Sequence, residues 1–165
     1  MGNTDLLRRS REFANRNGLT LGDQLGAGVQ GIVFSAKSQS EEGRLAVKAH
    51  KQEPDYWRER DAYSRLKEHG INTLRGCNVP ELIAYDDELW IIEMTVVSRP
   101  FVLDFGGAFL DGAPEFADEI LAEWRAEKQE QFGSRWPEVQ AIIRELQTYG
   151  IFLIDVNPGN ISFSD

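Results

Sequence analysis

Cysteine and histidine are scarce in this sequence, with one Cys and two His among 165 residues. The single cysteine, Cys77, excludes an intrachain disulfide and fits a reducing cytoplasm, which is the localisation we expect. Cys77 with His50 and His69 makes a poor set of metal ligands, and neither a CxxC nor an HExxH spacing occurs. A zinc site is therefore not expected.

The sequence also has few basic residues relative to acidic ones: 18 Lys and Arg and 27 Asp and Glu, for a net charge of −9. Nucleic acids and acidic membrane surfaces are bound through Lys and Arg, so this balance argues against both as partners. The apolar runs are far too short to span a bilayer, and the N-terminus has no apolar segment of the secretory type. We expect neither a nucleic-acid nor a membrane partner.

Hydrophobic periodicity predicts an α+β fold in which a five-stranded antiparallel sheet carries one helix inserted after its third strand. The strands are expected at 19–25, 31–37, 45–50, 79–85 and 89–97. The helices are expected at 5–16, 54–68, from 114 to before Gly133, and from about 137 to before Gly150. Residues 98–112 read as irregular, and a short apolar run at 151–154 leads into a polar loop.

A glycine motif, GxGxxG, spans Gly26 to Gly31. Glycines let the backbone approach a phosphate and point N–H groups at it. A dinucleotide-binding fingerprint would have to open a helix, but Ile32-Val33-Phe34 reads as a strand, and no Lys-Ser/Thr follows as a Walker loop requires. Taken alone, the motif is equally compatible with a glycine-rich hairpin turn.

Lys48 ends the apolar strand that follows this loop, and Glu59 lies near the middle of the apolar face of the next helix. A carboxylate on a buried face is costly unless it is paired, and Lys48 is its natural partner. The alternatives are an edge lysine in water and a glutamate at the rim of a loosely packed face. Of these possibilities, the Lys48–Glu59 ion pair is the most specific prediction.

A polar loop from Asp155 to Asn160 follows the apolar run 151–154. An Asp can accept a proton from a hydroxyl nucleophile, and Asp and Asn oxygens are suitable ligands for Mg²⁺. The same hexamer, with its Pro158-Gly159 turn, is also a common Asx-rich turn. Nothing within the hexamer separates these interpretations.

In combination, these elements resemble the protein-kinase-like superfamily. Gly26-x-Gly28-x-x-Gly31-x-Val33 is similar to its nucleotide loop, and Ala46-x-Lys48 with Glu59 is similar to its lysine–glutamate pair. Asp155-x-x-Pro158-x-Asn160 is similar to the catalytic loop of aminoglycoside- and choline-kinase-like enzymes. The resemblance implies a two-lobe fold: an N-terminal helix (1–18), a sheet lobe (19–97) and a reduced helical lobe (98–165).

The implied function is transfer of the γ-phosphate of ATP, with Mg²⁺, to a hydroxyl group of an unknown small molecule or protein. Asp155, Lys48 and Glu59 would be the catalytic residues, and Asn160 and Asp165 would hold the metal. The implied nucleotide contacts are Gly26, Ala27, Gly28, Gly31, Val33, Ala46, Lys48, Glu93 and Thr95.

Three departures from the family pattern keep other functions open. Leu153 stands where the family usually has His, and Asn157 where it usually has Lys, His or Ser. The family's metal-binding Asp, in Asp-Phe-Gly, follows the Asn by one hairpin, whereas Asp104-Phe105-Gly106 precedes it here and is interpreted as a coincidence.

The alternatives are a nucleotide-binding pseudokinase that regulates a partner and an interaction module that binds no nucleotide. A reduced second lobe would also leave apolar surface for a second copy of the chain to cover, so a homo-oligomer is among the expectations.

Overall fold

Eleven strands and four α-helices are found in the computed structural model, which describes residues 2–164. In chain order they are α1 (Asn3–Arg16), β1 (Leu19–Ala27), β2 (Gly31–Ser38), β3 (Leu45–His50), α2 (Glu53–Glu68), β4 (Thr73–Leu74), β5 (Cys77–Asn78), β6 (Leu82–Asp86), β7 (Ile91–Thr95), β8 (Phe101–Val102), β9 (Ala108–Leu110), α3 (Asp118–Phe132), α4 (Trp136–Thr148), β10 (Ile151–Leu153) and β11 (Ile161–Ser162). A short 3-10 helix, Gly133–Arg135, joins α3 to α4.

The main sheet has five strands in the order β1-β2-β3-β7-β6, and all its neighbours are antiparallel. Helix α2 follows the third strand, so the predicted sheet with one inserted helix is confirmed. The fold class is α+β, as the hydrophobic pattern indicates. Among residues 2–164, no helix is both long enough and apolar enough to cross a membrane.

Each face of the main sheet packs against a separate hydrophobic cluster, because successive side chains of a strand point to opposite faces. On one face, Leu6 and Phe13 of α1 pack in a cluster with Val47 of β3. On the other face, Ala46 belongs to a larger cluster that includes residues of α2 and α4, such as Leu66 and Ile142. Lys48 is two residues from Ala46 and therefore points towards α2.

Short strands occur in the segment that the sequence predicts as irregular, 98–112. Strand β8 pairs antiparallel with β11 and parallel with β5 in a four-stranded sheet, and β9 pairs antiparallel with β10. The prediction is wrong for residues 101–102 and 108–110, because strands of two or three residues are too short to show periodicity. Both strands lie beside the chain that carries Asp155.

Helix α3 begins at Asp118, four residues later than the predicted start at Pro114. The segment 113–117 is exposed, and Ala117 adopts φ −60° and ψ 148°, outside the helical region. No packing therefore holds the expected first turn. Helix α4 buries Val139, Ile142 and Leu146 on one face, which confirms the predicted helical periodicity.

Candidate functional site

The glycine motif forms the connection between β1 and β2. Gly28 N donates a hydrogen bond to Gly31 O at 3.0 Å, and the Lys51 ammonium donates to Gly28 O at 2.9 Å. The chain continues as a strand after Gly31, so the motif does not open a helix. This geometry excludes the dinucleotide-binding arrangement, in which the third glycine leads into a helix.

Lys48 and Glu59 form the buried pair that the sequence predicts. The Lys48 Nζ lies 3.0 Å from Glu59 Oε1 and 2.8 Å from Oε2. Their residues are only 7% and 1% exposed. His50, which is fully buried, adds a further neighbour, with its Nε2 3.4 Å from Glu59 Oε2.

The charges of this pair stabilise each other. Burial alone would raise the pKa of Glu59, but the Lys48 ammonium and His50 outweigh it and hold that pKa at about 2. Burial alone would lower the pKa of Lys48, but the carboxylates of Glu59 and Asp104 outweigh it and raise that pKa. Both groups are therefore charged at neutral pH.

Asp104, in the string Asp104-Phe105-Gly106 that is interpreted from the sequence as a coincidence in a loop, also contacts Lys48. Lys48 Nζ donates to Asp104 Oδ1 at 3.3 Å, and Gly106 N donates to the same oxygen at 3.3 Å. Burial raises the pKa of Asp104, and Lys48 offsets only part of that effect. The cluster of Lys48, Glu59 and Asp104 thus contains one ammonium for two carboxylates.

Strand pairing explains why Asp104 lies in this site although it precedes the Asp155–Asn160 loop in the chain. Strand β8 ends two residues before Asp104 and pairs with β11, the strand that follows Asn160. This pairing places the turn at 104–107 against the Asp155 loop, although the two segments are far apart in the sequence.

The turn after Asp104 touches the Asp155 loop directly. A Cβ added to Gly107 would lie 2.8 Å from Asp155 Cβ, closer than real Cβ atoms approach. Asn157 Oδ1 accepts a hydrogen bond from Gly159 N at 2.8 Å, and Asn157 O accepts from Asn160 N at 3.0 Å. The predicted Asx-type turn is present, and it shapes the loop that presents Asp155.

A cavity of about 510 Å³ brings most of these groups together. Its lining consists of Gly26, Ala27, Gly28, Val29, Gln30, Gly31, Val33, Lys48, Asp104, Asp155, Asn157 and Asn160. A second cavity of about 390 Å³ shares Gly26, Val33, Lys48 and Asp104 with it and continues along the sheet past Ala46, Met94, Thr95, Val96 and Val97. One end is lined mainly by apolar side chains, and the other by the glycine motif and by polar side chains.

Of the residues predicted to contact nucleotide, only Glu93 lines neither cavity. It is 5% exposed on β7, and Met94 and Thr95 line the cavity instead. Side chains alternate along a strand, so Glu93 points away from the face that carries Met94. Burial raises the pKa of Glu93. The predicted metal ligand Asp165 lies outside the described residues.

Sequence reasoning missed Val29, Gln30, Asn157 and Asp104 as residues of this cavity. The Asp-Phe-Gly string was the only signal for Asp104, and its position in the chain obscured it. Gln30 stands at a position of GxGxxG where the motif specifies no residue, so the motif does not indicate that its side chain belongs to the site. The Asx turn indicated Asn157 only as part of a loop.

Asp104 and Asn160 supply oxygen ligands of the type that Mg²⁺ prefers. Within residues 2–164, no three Asp, Glu, His or Cys side chains converge as a metal site of their own. Mg²⁺ is commonly held by one or two carboxylates together with substrate phosphates and water. The surplus carboxylate at Asp104 fits that mode of binding.

A scan against protein-family models and a search of curated proteins find no match to this chain.

Proposed function

We propose that this chain binds Mg·ATP in the cavity beneath the glycine motif and transfers the γ-phosphate to a hydroxyl acceptor. One observation carries the proposal: the Lys48 ammonium lies between Glu59 and Asp104 in a cavity that the glycine motif and Asp155 also line. A kinase-like arrangement of two lobes is part of the proposal.

The nucleotide would lie along the two connected cavities. Val33, Ala46 and Met94 form apolar walls suited to an adenine ring, and the glycine motif offers backbone N–H groups to the phosphates. Lys48, oriented by Glu59, contacts the phosphates. Phosphoryl transfer depends mainly on positioning and charge stabilisation, which these groups provide.

Asp104 and Asn160 would hold Mg²⁺, which neutralises charge on the phosphates when bound. Asp155 orients the acceptor hydroxyl and takes its proton. Asp155 is exposed, so an acceptor can reach it. Val156, which is fully buried, anchors the loop directly after it.

The proposal is tested first by calorimetric titration of Mg·ATP into wild-type protein, Asp104→Asn and Lys37→Met. Asp104→Asn keeps the side-chain shape and removes the charge, so we expect Mg²⁺ to stop enhancing ATP binding. Lys37 is exposed on β2, and Lys37→Met controls for loss of a lysine charge. Wild-type protein that binds no Mg·ATP at millimolar concentration would overturn the proposal.

A transfer assay then separates catalysis from binding alone. Phosphate release or transfer from γ-labelled ATP should fall at least about 100-fold in Asp155→Asn, because general-base groups contribute about 10²- to 10⁴-fold. ATP affinity should stay within about twofold of wild type.

A second function, a regulatory nucleotide-binding module, is favoured by one observation. Within residues 2–164, the Asp155 carboxylate has no hydrogen-bond or ion-pair partner to orient it, and Leu153 is buried where the family usually has His. Binding of Mg·ATP with no turnover above that of Asp155→Asn would select this function over transfer.

A further inference from the structure

The side chain of Gln30 connects the glycine motif to the turn that carries Asp104. When the amide group is oriented so that its nitrogen faces Asp104, as the surrounding donors and acceptors require, the nitrogen donates to Asp104 Oδ1 at 2.8 Å and the oxygen accepts from Gly107 N at 3.2 Å. Both polar ends of the amide are thus satisfied by the segment 104–107, which belongs to a different part of the fold from the hairpin that carries Gln30. The neighbouring side chain, Val29, is 91% exposed.

Backbone bonds and Lys51, the residue after β3, hold the glycine motif from the side of the sheet. Gly28 N donates to Gly31 O at 3.0 Å, Lys51 N donates to Gln30 O at 2.8 Å, and the Lys51 ammonium donates to Gly28 O at 2.9 Å. None of these bonds reaches the 104–107 turn. Through its side chain, Gln30 reaches across the cavity from the hairpin to the 104–107 turn.

The turn that receives this amide has no side chain at Gly106, where a Cβ would overlap the amide group of Gln30 in its present position. Arg58 Nε donates to Gly106 O at 2.9 Å and links the turn to α2.

Gln30 binds one of the two carboxylate oxygens of Asp104, the residue proposed as a metal ligand. Asp104 Oδ1 accepts from Lys48 Nζ, Gly106 N and the Gln30 amide. A carboxylate oxygen has about two lone-pair directions, so three donors leave it no free direction for a cation. A cation that binds this oxygen must displace a donor, and Gln30 is the one whose release also opens the glycine motif.

We propose that Gln30 is a latch that holds the glycine motif closed on Asp104, and that a divalent cation with its nucleotide displaces it. Displacement by a cation and nucleotide rests on the proposed function, whereas the closed contact between Gln30 and Asp104 does not. Because the closed motif occupies the place of the ligand, closure and binding compete. The apparent affinity for Mg·ATP is therefore lower than the intrinsic affinity, in proportion to the fraction of molecules in which the motif is open.

Amide hydrogen exchange tests the closed contact without any ligand. Gln30→Ala removes the amide, Gln30→Asn keeps an amide that is one methylene too short to bridge Asp104 and Gly107, and Gln39→Ala makes the same change at an exposed turn. We expect exchange in peptides covering 26–31 and at Gly107 to rise about threefold to tenfold in both Gln30 variants, because a typical hydrogen bond is lost. Unchanged exchange in Gln30→Ala, or equal effects in Gln39→Ala, would overturn the latch.

Titration of Mg·ATP into the same proteins tests the competition. Gln30→Ala and Gln30→Asn should bind about threefold to tenfold more tightly than wild type and Gln39→Ala. Equal or weaker binding in Gln30→Ala would overturn displacement, since the amide would then be neutral or helpful to the ligand. If no protein binds Mg·ATP, the proposed function and the displacement step fail together, whereas the exchange results alone decide whether Gln30 holds the motif closed.

Discussion

Lys48 and Glu59 are charged side chains in a place where charge is costly. The cost is offset because each has a partner at hydrogen-bond distance: 2.8 Å between Nζ and Oε2, and 3.3 Å between Nζ and Asp104 Oδ1. Removing one member of such a buried pair leaves the other uncompensated, which typically costs about 3–5 kcal/mol. The site should therefore be visible in folding stability as well as in binding.

Lys48→Met should lower the free energy of unfolding by about 3–5 kcal/mol, because it leaves Glu59 and Asp104 without their shared cation. Glu59→Gln should cost less, because Lys48 keeps Asp104 as a partner. The double variant should be less destabilised than the sum of the two single variants. Urea unfolding at pH 7 measures all three, with Lys37→Met as control; strictly additive losses would show that the two groups do not interact.

Acid should weaken the contribution of Glu59 to stability. Its pKa is about 2 in the folded protein against an ordinary 4.5, so its contribution is complete above pH 4.5 and is lost as pH falls from there towards 2. The stability difference between wild type and Glu59→Gln should be largest at pH 7 and shrink through pH 4 and pH 3. A difference that stays constant over this range would contradict a paired Glu59.

At the scale of the element, the glycines of the motif differ in the space around them: the third is crowded by the neighbouring strand, and the first two are not. A Cβ at Gly31 would overlap the backbone oxygen of Ala49 on the neighbouring strand, whereas a Cβ at Gly26 or Gly28 would meet nothing within 4 Å. The third glycine is thus required by the pairing of β2 with β3. The first two leave open space over the cavity, where a phosphate can approach.

Gly31→Ala should therefore destabilise the fold by at least about 2–3 kcal/mol, because a strand backbone cannot move away without losing ladder hydrogen bonds. Gly28→Ala should change the free energy of unfolding by less than about 1 kcal/mol. Comparing the urea midpoints of these two matched variants checks both values. A tolerated Gly31→Ala, or an equally damaging Gly28→Ala, would refute the assignment of the third glycine to strand packing.

The two sides of the site belong to one hydrophobic cluster at the scale of the whole molecule. The cluster runs from α2, through Phe105 of the turn that carries Asp104, to α4 and Val156 beside Asp155. Packing of this kind joins the main sheet to the helices at the end of the chain. The elements that present Lys48 and Asp155 should therefore unfold together.

Tryptophan fluorescence from opposite sides of the site can show whether the two sides unfold together. A protein with Trp124→Phe and Trp136→Phe keeps Trp57 and Trp90, which report on α2 and β7, and the reverse pair of changes keeps the reporters on α3 and α4. In each variant, the urea midpoint by fluorescence should equal the midpoint by far-UV circular dichroism. A fluorescence midpoint offset from circular dichroism in either variant would show two separately folding units.

The amino-acid sequence by itself predicted the main sheet, the inserted helix, the glycine hairpin and the Lys48–Glu59 pair. These features depend on local periodicity and on the cost of burying an unpaired carboxylate, and both can be read from neighbouring residues. It also placed Asp155 in a loop after a short strand. Helix α3 began later than predicted because the residues of its expected first turn are exposed and gain little burial from a helical conformation.

Only the tertiary structure decided that Asp104 and Gln30 belong to the site. Val102 pairs with Ile161, 59 positions along the chain, and this pairing brings the turn after β8 to Lys48 and Asp155. A two-residue strand has no sequence pattern, and its partner is set by hydrogen bonds that form when distant segments pack. The composition of the site therefore depended on a long-range contact that no local rule specifies.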